Sequence, residues 1–228
     1  MGSGFVIAVD GPSGAGKSTA SRGLARRLGF RYVDTGAMYR AVAYLAADRG
    51  IPGDDGDSLV ALCQGLEFEF REDPNGGLRI LAGSQDVTEE IRRPEVGQLA
   101  SSVSTHVGVR DKLVRMQRAM GARGNLVIEG RDIGTVVFPN APVKFFITAR
   151  PAARARRRAL ELEARGLAAD TALVEAQQTE RDARDSSRVH SPLRQASDAI
   201  VMDTTEMSLE QVIDAMERIV AERGYRGV

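Results

Sequence analysis

Nearly continuous apolar runs punctuate this chain: Phe5-Val6-Ile7-Ala8-Val9, Leu126-Val127-Ile128, Val143 to Ile147 interrupted only by Lys144, and Ala199-Ile200-Val201-Met202. Runs this short, without polar alternation, predict strands buried on both faces. A further strand is expected around Arg31-Tyr32-Val33-Asp34. Between these runs the apolar positions take helical spacing. Helices are predicted over 17–28, closed by Gly29, and from about Met38 to Asp48, stopped by Gly50 and Pro52. Val107, Leu113, Met116 and Met120 share a third face. Pro151 opens an Arg-rich helix that runs to about Arg165, and another spans about 170–188. Ser208 caps a last amphipathic helix, with Gln211 at the capping-box position and Val212, Met216 and Ile219 on one face. One stretch breaks the rhythm. Leu66 to Arg71 alternates, Asp73-Pro74-Asn75-Gly76-Gly77 reads as a turn, and Leu78 to Leu81 returns antiparallel. The pattern predicts an α/β fold: a parallel sheet flanked by helices, with an inserted subdomain at roughly 60–100.

Composition changes this picture little. At 228 residues, 43% apolar and 27% charged, the chain suits one sizeable globular domain with a smaller appendage. A formal net charge of +0 argues against nucleic acid or a membrane surface as partner. Lysine is scarce (Lys17, Lys112 and Lys144), which reads as a compositional bias rather than a functional signal. One cysteine, Cys63, has no internal partner and sits in an apolar stretch, as expected of a core residue in a reducing cytosol. With no signal peptide and no membrane-spanning run, a cytoplasmic protein is expected; a monomer is expected too, though no sequence feature fixes the oligomeric state.

The chemistry is concentrated after the first strand. Gly11-Pro12-Ser13-Gly14-Ala15-Gly16-Lys17-Ser18-Thr19 fits G-x-x-x-x-G-K-[ST]. Such a loop turns successive N–H groups onto a polyphosphate at a helix N-terminus. Lys17 supplies a compact positive charge and the Ser18 hydroxyl a ligand for Mg²⁺. Phosphoryl transfer also requires a second anion site. Arg40, in Asp34-Thr35-Gly36-Ala37-Met38-Tyr39-Arg40, is one candidate, or else a solvated arginine in a helix-starting turn. Arg131 and Asp132 follow a buried strand and either grip a phosphate and a base or pair with each other. Arg181, Asp185 and Arg188 share a helical face, as a ligand site or as a surface ladder. Arg154, Arg157 and Arg158 share another, as a mobile cap or as a solvated helix in which Arg157 pairs with Glu161.

At these residues the chain resembles the bacterial cytidylate kinases, of the nucleoside monophosphate kinase family. The likeness runs nearly end to end. It is carried by the phosphate loop with its preceding strand, by Asp34 to Arg40, by Gly130-Arg131-Asp132-Ile133-Gly134-Thr135-Val136-Val137-Phe138-Pro139, and by the Arg181-Asp182, Arg184-Asp185, Arg188 helix. Glu129 stands where some members carry Asp. The resemblance implies one P-loop kinase over 1–228, with a core at about 1–40, 105–150 and 190–228. A monophosphate-binding region with a small antiparallel sheet would occupy about 35–105, and a short Arg-rich lid about 150–170. It also implies Mg²⁺-dependent transfer of phosphate from ATP to CMP and dCMP. Residues 11–19 would hold ATP, with Ser18 on the metal. Thr35, Ser101, Arg110 and Asp132 would contact cytosine, and Arg181 and Asp185 the sugar. Arg40, Arg131 and Arg188 would hold the acceptor phosphate, and Lys17, Arg131, Arg154 and Arg158 would act on the transferring group.

Two rival readings fare worse. A GTP-driven switch needs N-K-x-D, which is missing, and its D-x-x-G match, Asp73-Pro74-Asn75-Gly76, lies in the hairpin turn. A kinase of a non-nucleotide metabolite does not require the inserted subdomain or the Arg/Asp helix near residue 185.

Overall fold

The computed structural model describes residues 4–73 and 77–225. The hairpin turn expected at 73–77 therefore falls largely outside the described residues. The chain divides into two compact units, residues 1–32 with 123–228, and residues 33–122.

The first unit is built on a five-stranded sheet. Its strands are β1 (Val6–Asp10), β2 (Arg31–Asp34), β6 (Leu126–Glu129), β7 (Val143–Thr148) and β8 (Ile200–Asp203), in the order β2-β6-β1-β7-β8. β1 runs parallel to both β6 and β7, with Ala8 opposite Ile128 on one side and Lys144 on the other. β7 pairs parallel with β8. Every residue of β1 and β6 is buried, which is why both read as unbroken apolar runs. α1 (Lys17–Leu28) buries Ala20, Leu24 and Ala25, and packs on α8 (Leu209–Glu222). Ser208 and Gln211 form the expected capping box of α8. Its buried face is Val212, Ile213, Met216 and Val220; Ile219, expected there, is only half-buried. α6 (Pro151–Glu163) and α7 (Thr171–Ser186) pack against each other, and Asp170 caps α7. Phe30 meets both Phe5 and Tyr225 edge-on, with Phe30 and Tyr225 ring centroids 4.7 Å apart, and Phe5 lies tilted against Tyr225.

The second unit contains α2 (Thr35–Asp48), α3 (Gly56–Leu62), α4 (Pro94–Val103), α5 (Val107–Gly121) and a small antiparallel sheet. α2 starts three residues before the sequence pattern predicts, because the Asp34 carboxylate accepts the Ala37 N–H as an N-cap. The sheet pairs β3 (Phe68–Glu72) with β4 (Leu78–Ala82), and β4 with the two-residue β5 (Gln85–Asp86). Leu78, Ile80 and Ala82 supply its buried face. β5 is too short to leave a periodic signal. α3 and α4 are weak patterns in sequence, yet bury Leu59 and Leu62, and Val96 and Ala100. Cys63 is buried and its thiol is pushed up to about 11 by desolvation. Among the described residues no helix is long and apolar enough to cross a membrane.

The join between β1 and the phosphate loop admits only glycine. Gly11 has φ +145°, and a Cβ there would stand 1.9 Å from the Ile147 carbonyl oxygen of β7. Gly11→Ala is expected to lower unfolding free energy by about 3 kcal/mol or more, since the obstacle is backbone in a central strand. Urea denaturation of the variant checks this; a loss under about 1 kcal/mol would show that β7 yields.

Candidate active site

The strands of the first unit end together on functional loops, as open parallel sheets do. β1 runs into residues 11–16 and then α1. Lys17, in the first turn, is buried, and its Nζ donates to the Pro12 carbonyl at 2.7 Å. Burial first, and then the Arg131 charge, push its pKa down to about 7. Ser18 and Thr19 are exposed at the same helix start. The loop is braced by side chains. The Ser13 N–H donates to Asp182 Oδ1 at 3.0 Å, and Arg154 Nη1 donates to the Ser13 carbonyl at 2.9 Å. The Thr204 hydroxyl, just past β8, lies 3.1 Å from the Ala15 carbonyl.

β6 ends at Glu129, a buried carboxylate that accepts the Tyr32 hydroxyl. Gly130, Arg131 and Asp132 follow, then a single π-type helical turn over Ile133–Val137. The first amides of that turn donate to Asp10, the last residue of β1: Ile133 N to Oδ1 at 2.8 Å and Gly134 N to Oδ2 at 2.7 Å. Burial nevertheless raises the Asp10 carboxyl to about 6, against the lowering effect of these two bonds. Asp132 is also buried.

Asp185, almost wholly enclosed, joins two guanidiniums. Arg131 Nε donates to Oδ2 at 3.0 Å and Arg188 Nη2 to Oδ1 at 2.5 Å. The expected ladder therefore turns inward. Asp185 pairs with Arg188 along its helix and with Arg131 from the loop after β6, while Arg181 lies one turn earlier on α7. The cap arginines also differ from the solvated arrangement. Arg154 is buried, bonded to Ser13, to the Ala149 carbonyl at 3.1 Å and to Asp182. Arg157 bonds Thr204 instead of pairing with Glu161, and Glu161 pairs with Arg158 at 2.8 Å.

The second unit holds its own polar cluster. Thr35, Ser101 and Arg110 are each buried there. The Arg110 guanidinium lies 5.5 Å from the Tyr39 ring centroid and donates to the Ser104 carbonyl at 3.4 Å. Arg40 Nη2 pairs with Asp34 Oδ2 at 2.8 Å, so the cap of α2 also orients the arginine one turn and a half on.

Asp10, Asp182 and Thr204 bear on this site without having been marked as candidates. A carboxylate closing an otherwise apolar strand run is the trace Asp10 leaves in sequence, and Asp182 stands inside the Arg/Asp helix. Thr204 leaves none.

Residues 7–222 match the family model described as cytidylate kinase. A cytidylate kinase of Geobacter sp. (strain M21) is 50% identical over 224 residues, 98% of this chain and 96% of that one. That of Geobacter sulfurreducens is 50% identical over 220 residues, covering 96% and 94%. A bifunctional pantoate ligase/cytidylate kinase of Synechococcus sp. (strain CC9605) is 49% identical over 212 residues, 92% of this chain and 44% of that protein.

A lysine whose pKa is about 7 is mostly neutral at pH 8, and a phosphate placed against it favours the charged form. ADP binding at pH 8 is therefore expected to take up about one proton, and Lys17→Met to abolish the uptake. Calorimetry in two buffers of different ionisation enthalpy reads this directly. Proton release, or uptake that survives the substitution, would contradict the assignment to Lys17.

Proposed function

This chain belongs to the cytidylate kinase family, and from that premise we propose how its residues carry out the reaction. It is a phosphotransferase that moves the terminal phosphoryl group of ATP onto CMP and dCMP, giving CDP and dCDP. The observation that carries the residue assignments is Asp185 clamped between Arg131 and Arg188, in the unit that also holds the phosphate loop. That carboxylate suits a pair of ribose hydroxyls, and the two guanidiniums beside it suit an acceptor phosphate. Arg181 completes the sugar contacts and Arg40 the phosphate contacts.

Residues 11–19 hold the ATP phosphates in this reading. An oxygen of the CMP phosphate attacks the γ-phosphorus as the bond to the β–γ bridging oxygen breaks, leaving ADP. The attacking group is already an anion, so no general base is needed; alignment and charge neutralisation are the work of the protein. Lys17, Arg131, Arg154 and Arg158 supply the cationic surroundings. Mg²⁺ keeps most of its water and takes few protein oxygens, so the exposed Ser18 hydroxyl at the start of α1 is a fitting ligand. When bound, the ion would neutralise phosphate charge. The reading extends to a cytoplasmic enzyme acting on free nucleotides, for which the net charge of +0 and the single buried cysteine are the support.

Thr35, Ser101 and Arg110 from the second unit, and Asp132 from the first, are assigned to the base. Cytosine offers an amino donor beside two acceptors; a carboxylate matches the first and a guanidinium the others. Uracil replaces the donor with an acceptor, leaving a buried carboxylate opposed.

In a coupled ADP-release assay, CMP and dCMP are expected to turn over rapidly, with UMP disfavoured in kcat/KM on the order of a thousandfold. Asp132→Asn should shrink that ratio at least about tenfold; an unchanged ratio would remove Asp132 as the reader of the amino group. Asp185→Ala is expected to raise KM for CMP and alter the CMP-to-dCMP preference while KM for ATP holds. A preference identical to that of the parent would refute the sugar role.

A further inference from the structure

α7 carries two carboxylates on one face, Asp182 and, three residues on, Asp185. Asp185 holds Arg131 and Arg188, while Asp182 reaches the phosphate loop. The two oxygens of Asp182 are divided. Oδ1 accepts the Ser13 N–H at 3.0 Å, and Oδ2 accepts Arg154 Nη1. Nη1 also donates to the Ser13 carbonyl at 2.9 Å, so the loop, α6 and α7 close a ring of three bonds. The approach is close: a Cβ on Gly14, which has φ +74°, would stand 3.2 Å from the Arg154 carbonyl oxygen. Arg154 is held at a second nitrogen, Nε, by the Ala149 carbonyl at 3.1 Å. Among the described residues nothing accepts from its third nitrogen, Nη2, which is not sealed from solvent. A guanidinium pinned at two nitrogens and open at the third is oriented as well as neutralised. A buried ion pair adds little net stability over an apolar pair of the same size, so stability alone does not account for this one.

We propose that Asp182 is a positioning residue for phosphoryl transfer: it fixes Arg154 and the Ser13 segment of the phosphate loop relative to each other, leaving Nη2 as the nitrogen Arg154 can offer to a phosphate. The proposal rests on the reading of residues 11–19 as the ATP site and of Arg154 as a cation at the reaction. Asp182 acts through these two groups and itself touches no substrate. Its Oδ1 takes up the Ser13 N–H, which leaves the later amides of the loop for phosphate, and its Oδ2 sets the rotation of the guanidinium. Asp185 lies three residues on, so one stretch of α7 also relates the donor loop to the Arg131 and Arg188 clamp. Transfer between two phosphates depends on such alignment, a misplacement of about 1 Å costing on the order of a hundredfold in rate.

The test is the single-turnover rate of transfer from ATP with Mg²⁺ to CMP, read by rapid quench at a temperature where every variant is folded by circular dichroism. Asp182→Asn keeps an oxygen for the Ser13 N–H but sets an amide against Arg154. Its rate should fall about tenfold or more, while KM for CMP stays within about twofold and the CMP-to-dCMP preference is unchanged. In an Arg154→Ala background the same substitution should cost less than about twofold, because the group it positions is gone. A merely structural carboxylate would lower the melting temperature and leave the rate of folded enzyme alone, or cost the same in both backgrounds. Asp182→Glu keeps the countercharge but moves it by one methylene; its rate should fall several-fold, and it serves should Asp182→Asn fail to fold. A rate within about twofold of the parent in Asp182→Asn, or in Asp182→Glu where only that variant folds, would overturn the proposal. So would equal costs in the two backgrounds, a KM for CMP that rises in step with the fall in rate, or Arg154→Ala at the parent rate. Parent protein that fails to turn over CMP would sink the proposed reaction itself, and the role of Asp182 with it, before any variant is compared.

Discussion

The active edge of the first unit depends on one buried carboxylate. Asp10 closes β1 and accepts two backbone amides from the turn that follows Arg131 and Asp132. One side chain thereby fixes where the phosphate loop starts and where the loop after β6 must lie. The arrangement is costly, since burial raises the Asp10 carboxyl to about 6 despite both bonds and the nearby Lys17. An apolar residue would fill the site, but would leave two buried N–H groups without acceptors. Asp10 joins the two loops directly, beside the indirect link that α7 makes through Asp182 to Ser13 and Asp185 to Arg131.

Ion pairs within each unit explain how an Arg-rich chain is charge-balanced while its arginines stay ordered. Arg131 and Arg188 share Asp185, Arg154 has Asp182, and Arg40 has Asp34. Each of these guanidiniums is thus oriented by a carboxylate of its own unit. Removing one carboxylate would leave cations crowded together, and it is this mutual repulsion that helps to depress the pKa of Lys17 beside Arg131.

The parallel core was legible because its strands are buried on both faces and bounded by recognisable helix starts: β1, β6 and β7 lie where their apolar runs predict. The start of α2 was not, because a capping carboxylate overrode a segment that reads as a loop. β5 and α3 are too short for periodicity to register. At the site, motif spacing found the residues whose spacing is local, such as Lys17 and Ser18. Contacts between distant segments are another matter: Asp10 with residue 133, Asp182 with Ser13, and Thr204 with Ala15 join positions more than a hundred residues apart. No local pattern encodes such pairs. Helical spacing placed Asp185 beside Arg188 correctly, and gave no hint of Arg131 as its second partner.

The division of the first unit between residues 1–32 and 123–228 has a consequence for the order in which the molecule takes shape on the ribosome. β1 is synthesised early, yet both of its neighbours, β6 and β7, come from the later segment. Residues 33–122 emerge in between as one continuous stretch, with all the strands of their own small sheet. They can pack while β1 still has two open edges and Asp10 has neither of its amides. The phosphate loop, translated ahead of these strands, gains its bracing contacts with Asp182 and Thr204 only once the late segment is made.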